Sequence, residues 1–483
     1  MYVGLDLGSS GLRALLIDED QSVLGSTEAH YDMLRPNAGW SEQDPADWIK
    51  ALKTCFAALK ADFPQAFQAV KGIGISGQMH GATVLDKDRN VIRPCILWND
   101  TRSHKEAAAL DADPRFRDLT GNIVFPGFTA PKLAWMQANE PELFAQVDLV
   151  LLPKDFLRLW LTGEEVGDFS DAAGTSWLDG GKREWDAGLL AATGLSGANM
   201  PRLVNGSDAS GIVKDDVAAA LGLPSGVVVA GGGADNAVAA CGIGAVRGGQ
   251  GFVSVGTSGV LLAAIDQWAT SPAKAVHAFC HAVPDAWYQM GVTLSAADSA
   301  TWLSTITGQS VPEMAKAVGD SISGPSDVTF LPYLSGERTP HNDAAMRGAF
   351  VGLAHQSGPA TLMQAVMEGV SFSMRDCMEA LKSSGTNIDN LLAIGGGSQS
   401  RFWVETLATV LGQPVGLLSG GENGAAMGAA RLAIMAATGA STSDVMHAPT
   451  PAETIHPRKE LTAAYEEAYG RYGRLYPALK SAL

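Results

Sequence analysis

Two copies of one short design constrain this chain more than any other feature. The first runs Val3-Gly4-Leu5-Asp6-Leu7-Gly8-Ser9-Ser10-Gly11-Leu12-Arg13 into the apolar Ala14-Leu15-Leu16-Ile17. The second runs Phe252-Val253-Ser254-Val255-Gly256-Thr257-Ser258-Gly259-Val260-Leu261-Leu262. Their leading glycines, Gly8 and Gly256, stand about half of the 483-residue chain apart. A strand, a Gly-Ser/Thr turn and a second strand, repeated at that spacing, predict a duplicated fold with two phosphate loops facing one nucleotide. Glycine lets backbone N–H groups curl around an anion, and Ser and Thr add hydroxyl donors. One Gly-Ser-Ser-Gly turn alone says little, because most such turns are plain hairpins. The matched pair makes Gly8, Ser9, Ser10, Gly256, Thr257 and Ser258 candidate phosphate contacts. Arg13, just after the first loop, is read either as a further phosphate contact or as a structural arginine. Asp6, at a strand end, is placed to hold Mg²⁺ through its waters.

Charge bounds the partners. Lys and Arg total 34 against 51 Asp and Glu, a net charge of −17. That balance excludes nucleic acid and anionic membrane surfaces as expected partners. It is compatible with ATP where N–H groups, a cation and a few basic residues offset the phosphates. The bulk charge also serves solubility. The five cysteines (Cys55, Cys95, Cys241, Cys280 and Cys377) are odd in number and scattered, with no Cys-x-x-Cys. Reduced thiols and a cytoplasmic protein are expected. His277, Cys280 and His281 lie close together, but no fourth ligand stands at a matching spacing, so no structural zinc is expected. No signal peptide or membrane span is expected either. A homodimer is a candidate assembly.

Strand-like and helix-like segments alternate, which predicts α/β architecture in two lobes. Asp44 caps a predicted helix over 45–58, with Pro45 at its first position. A strand over 70–75 ends in Ser76-Gly77-Gln78-Met79-His80-Gly81, and ligands in open α/β sheets lie at such strand ends. A strand over 227–230 breaks into Gly231-Gly232-Gly233-Ala234-Asp235-Asn236, followed by a small-residue helix over 237–244. A strand over 391–394, then Gly395-Gly396-Gly397-Ser398 and a helix over 401–411, reads as a second copy of that unit. The boundary falls near 247–251. This gives a sugar-binding lobe 1–247 with the first hairpin, and a nucleotide-binding lobe 248–483 ending in a docked helix. Tyr465, Tyr469, Tyr472 and Tyr476 share one face of that terminal helix, and the expected role of the stripe is docking. The polar segment 336–343 is expected at the surface or the cleft edge, with its role open.

The chemistry-bearing residues cluster at these loops. Gly396, Gly397 and Ser398 open a helix and suit a nucleotide. Asp235 is the candidate base, able to take a proton from a sugar hydroxyl during phosphoryl transfer; its alternative role is to cap the following helix. Asn236 both donates and accepts, as a hydroxyl-rich ligand requires. Gln78, Met79 and His80, with Trp98-Asn99-Asp100, supply the neutral hydrogen bonds and apolar wall that suit a small polyol. The plain alternatives are a core Trp98 and a structural loop histidine at His80.

Further tracts are Trp40-Ser41-Glu42-Gln43-Asp44-Pro45, Pro126-Gly127-Phe128-Thr129-Ala130-Pro131-Lys132-Leu133, Leu152-Pro153-Lys154-Asp155, Ser170-Asp171-Ala172-Ala173-Gly174-Thr175 and Leu331-Pro332-Tyr333-Leu334-Ser335-Gly336-Glu337-Arg338-Thr339-Pro340-His341. With them the chain resembles the FGGY carbohydrate kinases of the actin–hexokinase–Hsp70 superfold, and within them the branch acting on D-xylulose. The resemblance implies a duplicated actin-like (ribonuclease H-like) ATPase fold, two lobes around a central cleft. It implies Asp235 as catalytic base and Asp6 as the carboxylate serving Mg²⁺ and the phosphates. Met79 and His80 match the sugar-contacting pair, where glycerol-phosphorylating members carry Arg-Glu. Asn236 matches a second sugar contact, and Thr257 with the 395–398 turn matches the nucleotide side. One departure is Ala234, which stands between the glycines and the aspartate. The implied activity is ATP- and Mg²⁺-dependent phosphorylation of D-xylulose on its 5-hydroxyl. The alternatives are a kinase for another pentulose or polyol (ribulose, L-xylulose) and a non-catalytic actin-like ATP-binding protein.

Overall fold

Each half of the chain builds a seven-stranded mixed sheet around one glycine hairpin. The computed structural model describes residues 1–418 and 424–482. In the first sheet Tyr2–Leu7 pairs antiparallel with Gly11–Ile17, which pairs antiparallel with Val23–His30. On its other side Tyr2–Leu7 runs parallel to Gly72–Gly77, which runs parallel to Val228–Ala230, with Ala209–Ile212 antiparallel at the edge. The second sheet repeats this order and sense. Gly249–Val255 pairs antiparallel with Gly259–Ile265, which pairs antiparallel with Trp287–Thr293. Gly249–Val255 also runs parallel to Ile388–Ile394, then comes Val415–Leu417 in parallel and Glu453–Ile455 antiparallel. His277–Cys280 extends the hairpin edge of this sheet. The duplication expected from the two hairpins is therefore present in five strands of each sheet; the antiparallel strand beyond them precedes its neighbour in the chain in the first sheet and follows it in the second.

The same correspondence corrects one expectation. The two triglycine segments are not copies of each other. The 395–398 turn follows Ile388–Ile394, whose counterpart is Gly72–Gly77, so its equivalent is the loop of Gln78, Met79 and His80. Gly231-Gly232-Gly233 follows Val228–Ala230, whose counterpart is Val415–Leu417. The segment after that strand, 419–423, lies outside the described residues. Runs of glycine mark strand-to-helix turns generally, so composition alone paired the wrong turns.

The helices that follow the counterpart strands Val228–Ala230 and Val415–Leu417 pack on each other. Asp235–Gly242 and Gly424–Thr438 are rich in Ala and Gly, and their backbones come close. A Cβ on Gly428 would stand 1.8 Å from the Val238 carbonyl oxygen, and one on Gly242 equally close to that of Gly424. Gly424–Thr438 also lies against the first sheet: Cβ atoms on Gly4 and Gly74 would meet the carbonyl oxygens of Ala426 and Ala429 at 1.8 Å. A helix from the second half of the chain is thus seated on the sheet of the first half.

Local signals place most elements within a few residues of expectation. Asp44 accepts a hydrogen bond from the Ala46 N–H and starts helix Pro45–Asp62, which runs four residues past the predicted end. The small-residue helix begins at Asp235, two residues earlier than predicted. The terminal helix Thr462–Lys480 docks through its tyrosines: Tyr465 and Tyr472 are buried, and the Tyr472 hydroxyl lies 3.0 Å from that of Tyr333. The hydroxyls of Tyr469 and Tyr476 donate to Asp376 and Asp343. All five cysteines are buried and unpaired. Among the described residues, no helix is long and apolar enough to cross a membrane.

Candidate active site

Peptide geometry shows what each hairpin offers a ligand. Across a planar trans peptide, a carbonyl and the following N–H point in opposite directions. In the first hairpin the Gly8 carbonyl accepts from the Tyr31 hydroxyl at 2.5 Å, and the Ser9 carbonyl accepts from the Gln43 amide at 2.6 Å. These anchors pull the carbonyls inward and turn the N–H groups of Ser9 and Ser10 the other way. The second hairpin does the same with different parts. The Gly256 carbonyl accepts from Ala297 N and the Thr257 carbonyl from Ala296 N, at 2.8 and 2.9 Å, where helix Ala297–Thr307 begins. The N–H groups of Thr257 and Ser258 are turned outward as a result.

The serine hydroxyls depart from expectation. Ser9 Oγ donates to Gln78 Oε1 at 2.9 Å and accepts from the Trp98 indole at 2.8 Å, so its proton is already committed. Ser398 Oγ donates to the Gly395 carbonyl at 2.7 Å. Both turns therefore present backbone N–H groups rather than these hydroxyls. Gln78 also donates to Gln43 Oε1 at 2.9 Å. Its amide braces the hairpin, and its side chain also lines the cavity described below. Arg13 stands opposite Asp6 across the strand pair and forms an ion pair with Glu28 at 3.1 Å. Gly395, at φ 85°, turns the chain beside the Val255 carbonyl, and Gly396 faces open space. The 395–398 turn thus stands next to the second hairpin.

One cavity of about 310 Å³ collects the central candidates: Asp6, Gly8, Ser9, Gln78, Trp98, Asp235 and Asn236 line it, facing Phe252, Ser254 and Ile394 of the second sheet. Asp6 and Asp235 keep a partly open face toward the cavity, yet protein surrounds them closely. That desolvation raises the Asp6 carboxyl to about 6, against the opposing pull of the Ser76 hydroxyl and Arg13. It raises Asp235 to about 7, with the Asp6 charge adding to the rise and the Asn236 N–H groups opposing it. Asp235 Oδ1 accepts from Asn236 N at 2.7 Å and from its side-chain amide at 2.9 Å. Asp235 is the first helical residue and Ala234 holds the cap position, so capping is not its role.

A buried ion cluster fixes the loop that presents Asp235. Lys154 Nζ lies 2.5 Å from Asp155 and 2.7 Å from Asp168, and Arg158 lies 3.0 Å from Asp155. Arg158 donates to the Gly231 carbonyl. Ser170 Oγ donates to Asp168 and accepts from Ala234 N at 3.1 Å, one residue before Asp235. The Leu152–Asp155 and Ser170–Thr175 tracts carried the signal for this cluster, but neither tract announced its purpose. Ser170→Ala leaves the Ala234 N–H unpaired; kcat should fall about tenfold, from the ~1–3 kcal/mol such a loss costs, with both substrate KM values little changed. Steady-state kinetics on the folded variant checks this, and an unchanged kcat contradicts it.

A second cavity, of about 920 Å³, shares Trp98 with the first and is lined by His80, Phe125, Phe128, Thr257, Ser258, His277, Phe279 and Arg338, among others. Trp98 is 47% exposed, so it is a cavity wall and not a core residue. His80 adopts φ 68° and stacks on Phe128 with ring centroids 4.4 Å apart. Its carbonyl accepts from Thr129 Oγ1 and from the buried Lys132 Nζ at 3.1 and 2.7 Å. His80 Nδ1 lies 2.6 Å from the Gly174 carbonyl, which can only accept. Nδ1 therefore carries the proton and Nε2 is left as an acceptor. Burial, with Lys132 adding to it, lowers His80 to about 3, so the ring is neutral. Met79 departs from expectation: it is buried in the core with Phe128, Ala172 and Phe279 and supports the wall from behind. Asp100 is also unavailable, since both oxygens bond Arg102 and one accepts from Ser41 N.

Phe125, His277, Phe279 and Arg338 were not singled out as site residues from sequence. Arg338 belongs to the 336–343 segment, where Glu337 and Thr339 are buried. Its only signal was that polar, turn-rich tract.

The comparisons agree with this geometry. The model of the FGGY family of carbohydrate kinases, N-terminal domain, matches residues 1–242, and that of the C-terminal domain matches residues 251–437. The xylulose kinase of Escherichia coli (strain K12) is 45% identical over 482 residues, 99% of each chain. The crystal structure of a xyloylose kinase from Brucella ovis is similar at TM-score 0.98 and 56% identity, covering 100% of both chains. That of the xylulose kinase from Rhodospirillum rubrum is similar at TM-score 0.92 and 27% identity over 99% of both. Two lobes with matched hairpins, a desolvated carboxylate pair between them and family matches in both halves lead to one statement: this chain belongs to the FGGY family of carbohydrate kinases.

Proposed function

We propose that this protein transfers the γ-phosphoryl group of ATP to the 5-hydroxyl of D-xylulose. The observation that carries the reading is Asp235, a carboxylate raised to about 7 on the wall of a cavity it shares with Asp6 and the first hairpin. A base is most effective when its pKa lies near the working pH. The sugar lies along the two cavities with its 5-hydroxyl at Asp235 and Asn236. His80 Nε2 accepts one hydroxyl, while Trp98 and the phenylalanines form the apolar wall. The hydroxyl proton passes to Asp235 as the sugar O5–Pγ bond forms and the bond from Pγ to the β-phosphate oxygen breaks, releasing ADP. The outward N–H groups of Ser9, Ser10, Thr257 and Ser258, with the turn at Gly396, Gly397 and Ser398, offset phosphate charge.

The residues present fit a divalent cation held through water. Among the described residues no cluster of three His, Cys, Asp or Glu side chains forms a cage. Mg²⁺ needs none, since it keeps several waters and binds through one or two carboxylates together with phosphate. Asp6 would hold it, and the ion would supply charge neutralisation on the phosphates.

Support for D-xylulose comes from the relatives of that activity and from the neutral, hydroxyl-reading His80. ADP release measured across D-xylulose, D-ribulose, L-xylulose and glycerol tests the reading. D-xylulose is expected to give the highest kcat/KM. ATP turnover indifferent to every sugar would instead favour a non-catalytic actin-like protein.

A further inference from the structure

Arg338 is a desolvated cation on the large cavity, and among the described residues no carboxylate pairs with it. Its guanidinium carbon stands 3.8 Å from the Phe125 ring centroid, and Nη1 lies 3.3 Å from His277 Nε2. His277 Nδ1 faces the Asn122 amide oxygen at 3.3 Å, so Nδ1 carries the proton and Nε2 accepts from Arg338. This accounts for one of five guanidinium donors. The carboxylates on the same cavity wall are engaged elsewhere: Asp100 with Arg102, Asp111 with Arg117, and Glu337 with Thr293, Leu294 and Ser373. Arg338 is partly exposed to this cavity, so its remaining donors are open to a ligand oxygen in place of water.

We propose that Arg338 binds the carbonyl end of the sugar and selects 2-ketoses over the corresponding alditols. This rests on the reading that a pentulose occupies the cavity. Guanidinium only donates, and a ketone oxygen only accepts, so the two match without a surplus proton. An alditol puts a hydroxyl there whose own proton must find an acceptor. Phe125, Phe128 and Phe279 supply none, His277 Nε2 is already engaged, and His80 Nε2 is taken by another hydroxyl of the sugar. A site built in this way rejects the ligand that leaves a polar group unpaired. Phe125 and His277 hold the guanidinium in place from opposite halves of the chain, so the contact also needs both lobes together.

The test uses the full chain with D-xylulose as substrate and xylitol as competitive inhibitor. In Arg338→Ala the KM for D-xylulose should rise about 10- to 100-fold, the loss expected for a charge-assisted hydrogen bond, while the xylitol inhibition constant rises less than about threefold on the same argument. Arg338→Lys, which keeps the charge but not the fork, should fall between wild type and Arg338→Ala. A D-xylulose KM close to wild type in folded variants overturns the proposal, as does equal weakening of ketose and alditol. Failure of the wild-type enzyme to use D-xylulose would instead overturn the function proposed above.

Discussion

Asp235→Ala is expected to lower kcat by on the order of 10²–10⁴, the usual contribution of a positioned general base. The chain should stay folded, because Asp235 caps no helix and, among the described residues, its carboxylate bonds only its neighbour Asn236. The pH profile should show the same group. Burial raises Asp235 to about 7, with Asp6 adding to the rise. Below that value the carboxyl holds its proton and cannot accept another. The sign is therefore fixed: kcat/KM climbs as pH rises through about 7 and levels off above it. Asp6, raised to about 6 by burial, would be kept ionised by a cation beside it, so Asp235 sets the acid limb. A profile flat between these values in wild type, or near-normal turnover by the alanine variant, would remove Asp235 from the chemistry.

Gly74→Ala is expected to be among the most damaging single methyl groups added to this protein. Gly74 lies mid-strand, and a Cβ there would stand 1.8 Å from the Ala429 carbonyl oxygen. Backbone on both sides leaves no flexible side chain to move aside. Overpacking typically costs about 1–3 kcal/mol and more where the neighbour is rigid. The helix that must retreat, Gly424–Thr438, also packs on Asp235–Gly242, so the shift reaches Asp235, the proposed base. A lower thermal midpoint together with reduced kcat is the expected result. Gly473→Ala is the control: nothing lies within 4 Å of its Cβ position, and its helical site should gain about 0.5–1 kcal/mol or stay neutral. Equal thermal midpoints for the two variants would contradict the close-packed seam.

The parts legible in sequence were those written in local chemistry. The Gly-Ser/Thr hairpins announced the duplication because each encodes its own turn between two apolar strands. Asp235 was legible as a candidate because it follows a strand and a glycine turn, where α/β folds carry their ligands. Its raised proton affinity was not, since that depends on burial contributed by distant segments. The same holds for Ser9 and Gln78. Their types suit ligand contacts, but they bond each other, and Gln43 and Trp98 arrive from elsewhere in the chain to take up further hydrogen bonds. Met79 looked like a sugar contact by position and became core because the loop turns at His80 with positive φ. Arg338 lay in a loop with no local pattern, and only the tertiary fold brings it over Phe125.

The most direct test of the account is the ³¹P spectrum of wild-type enzyme mixed with ATP, Mg²⁺ and D-xylulose. The account predicts one new phosphomonoester resonance coupled to the C5 protons, appearing in step with ADP. Inorganic phosphate formed at the same rate with and without the sugar, or a phosphate attached at C1, would contradict it.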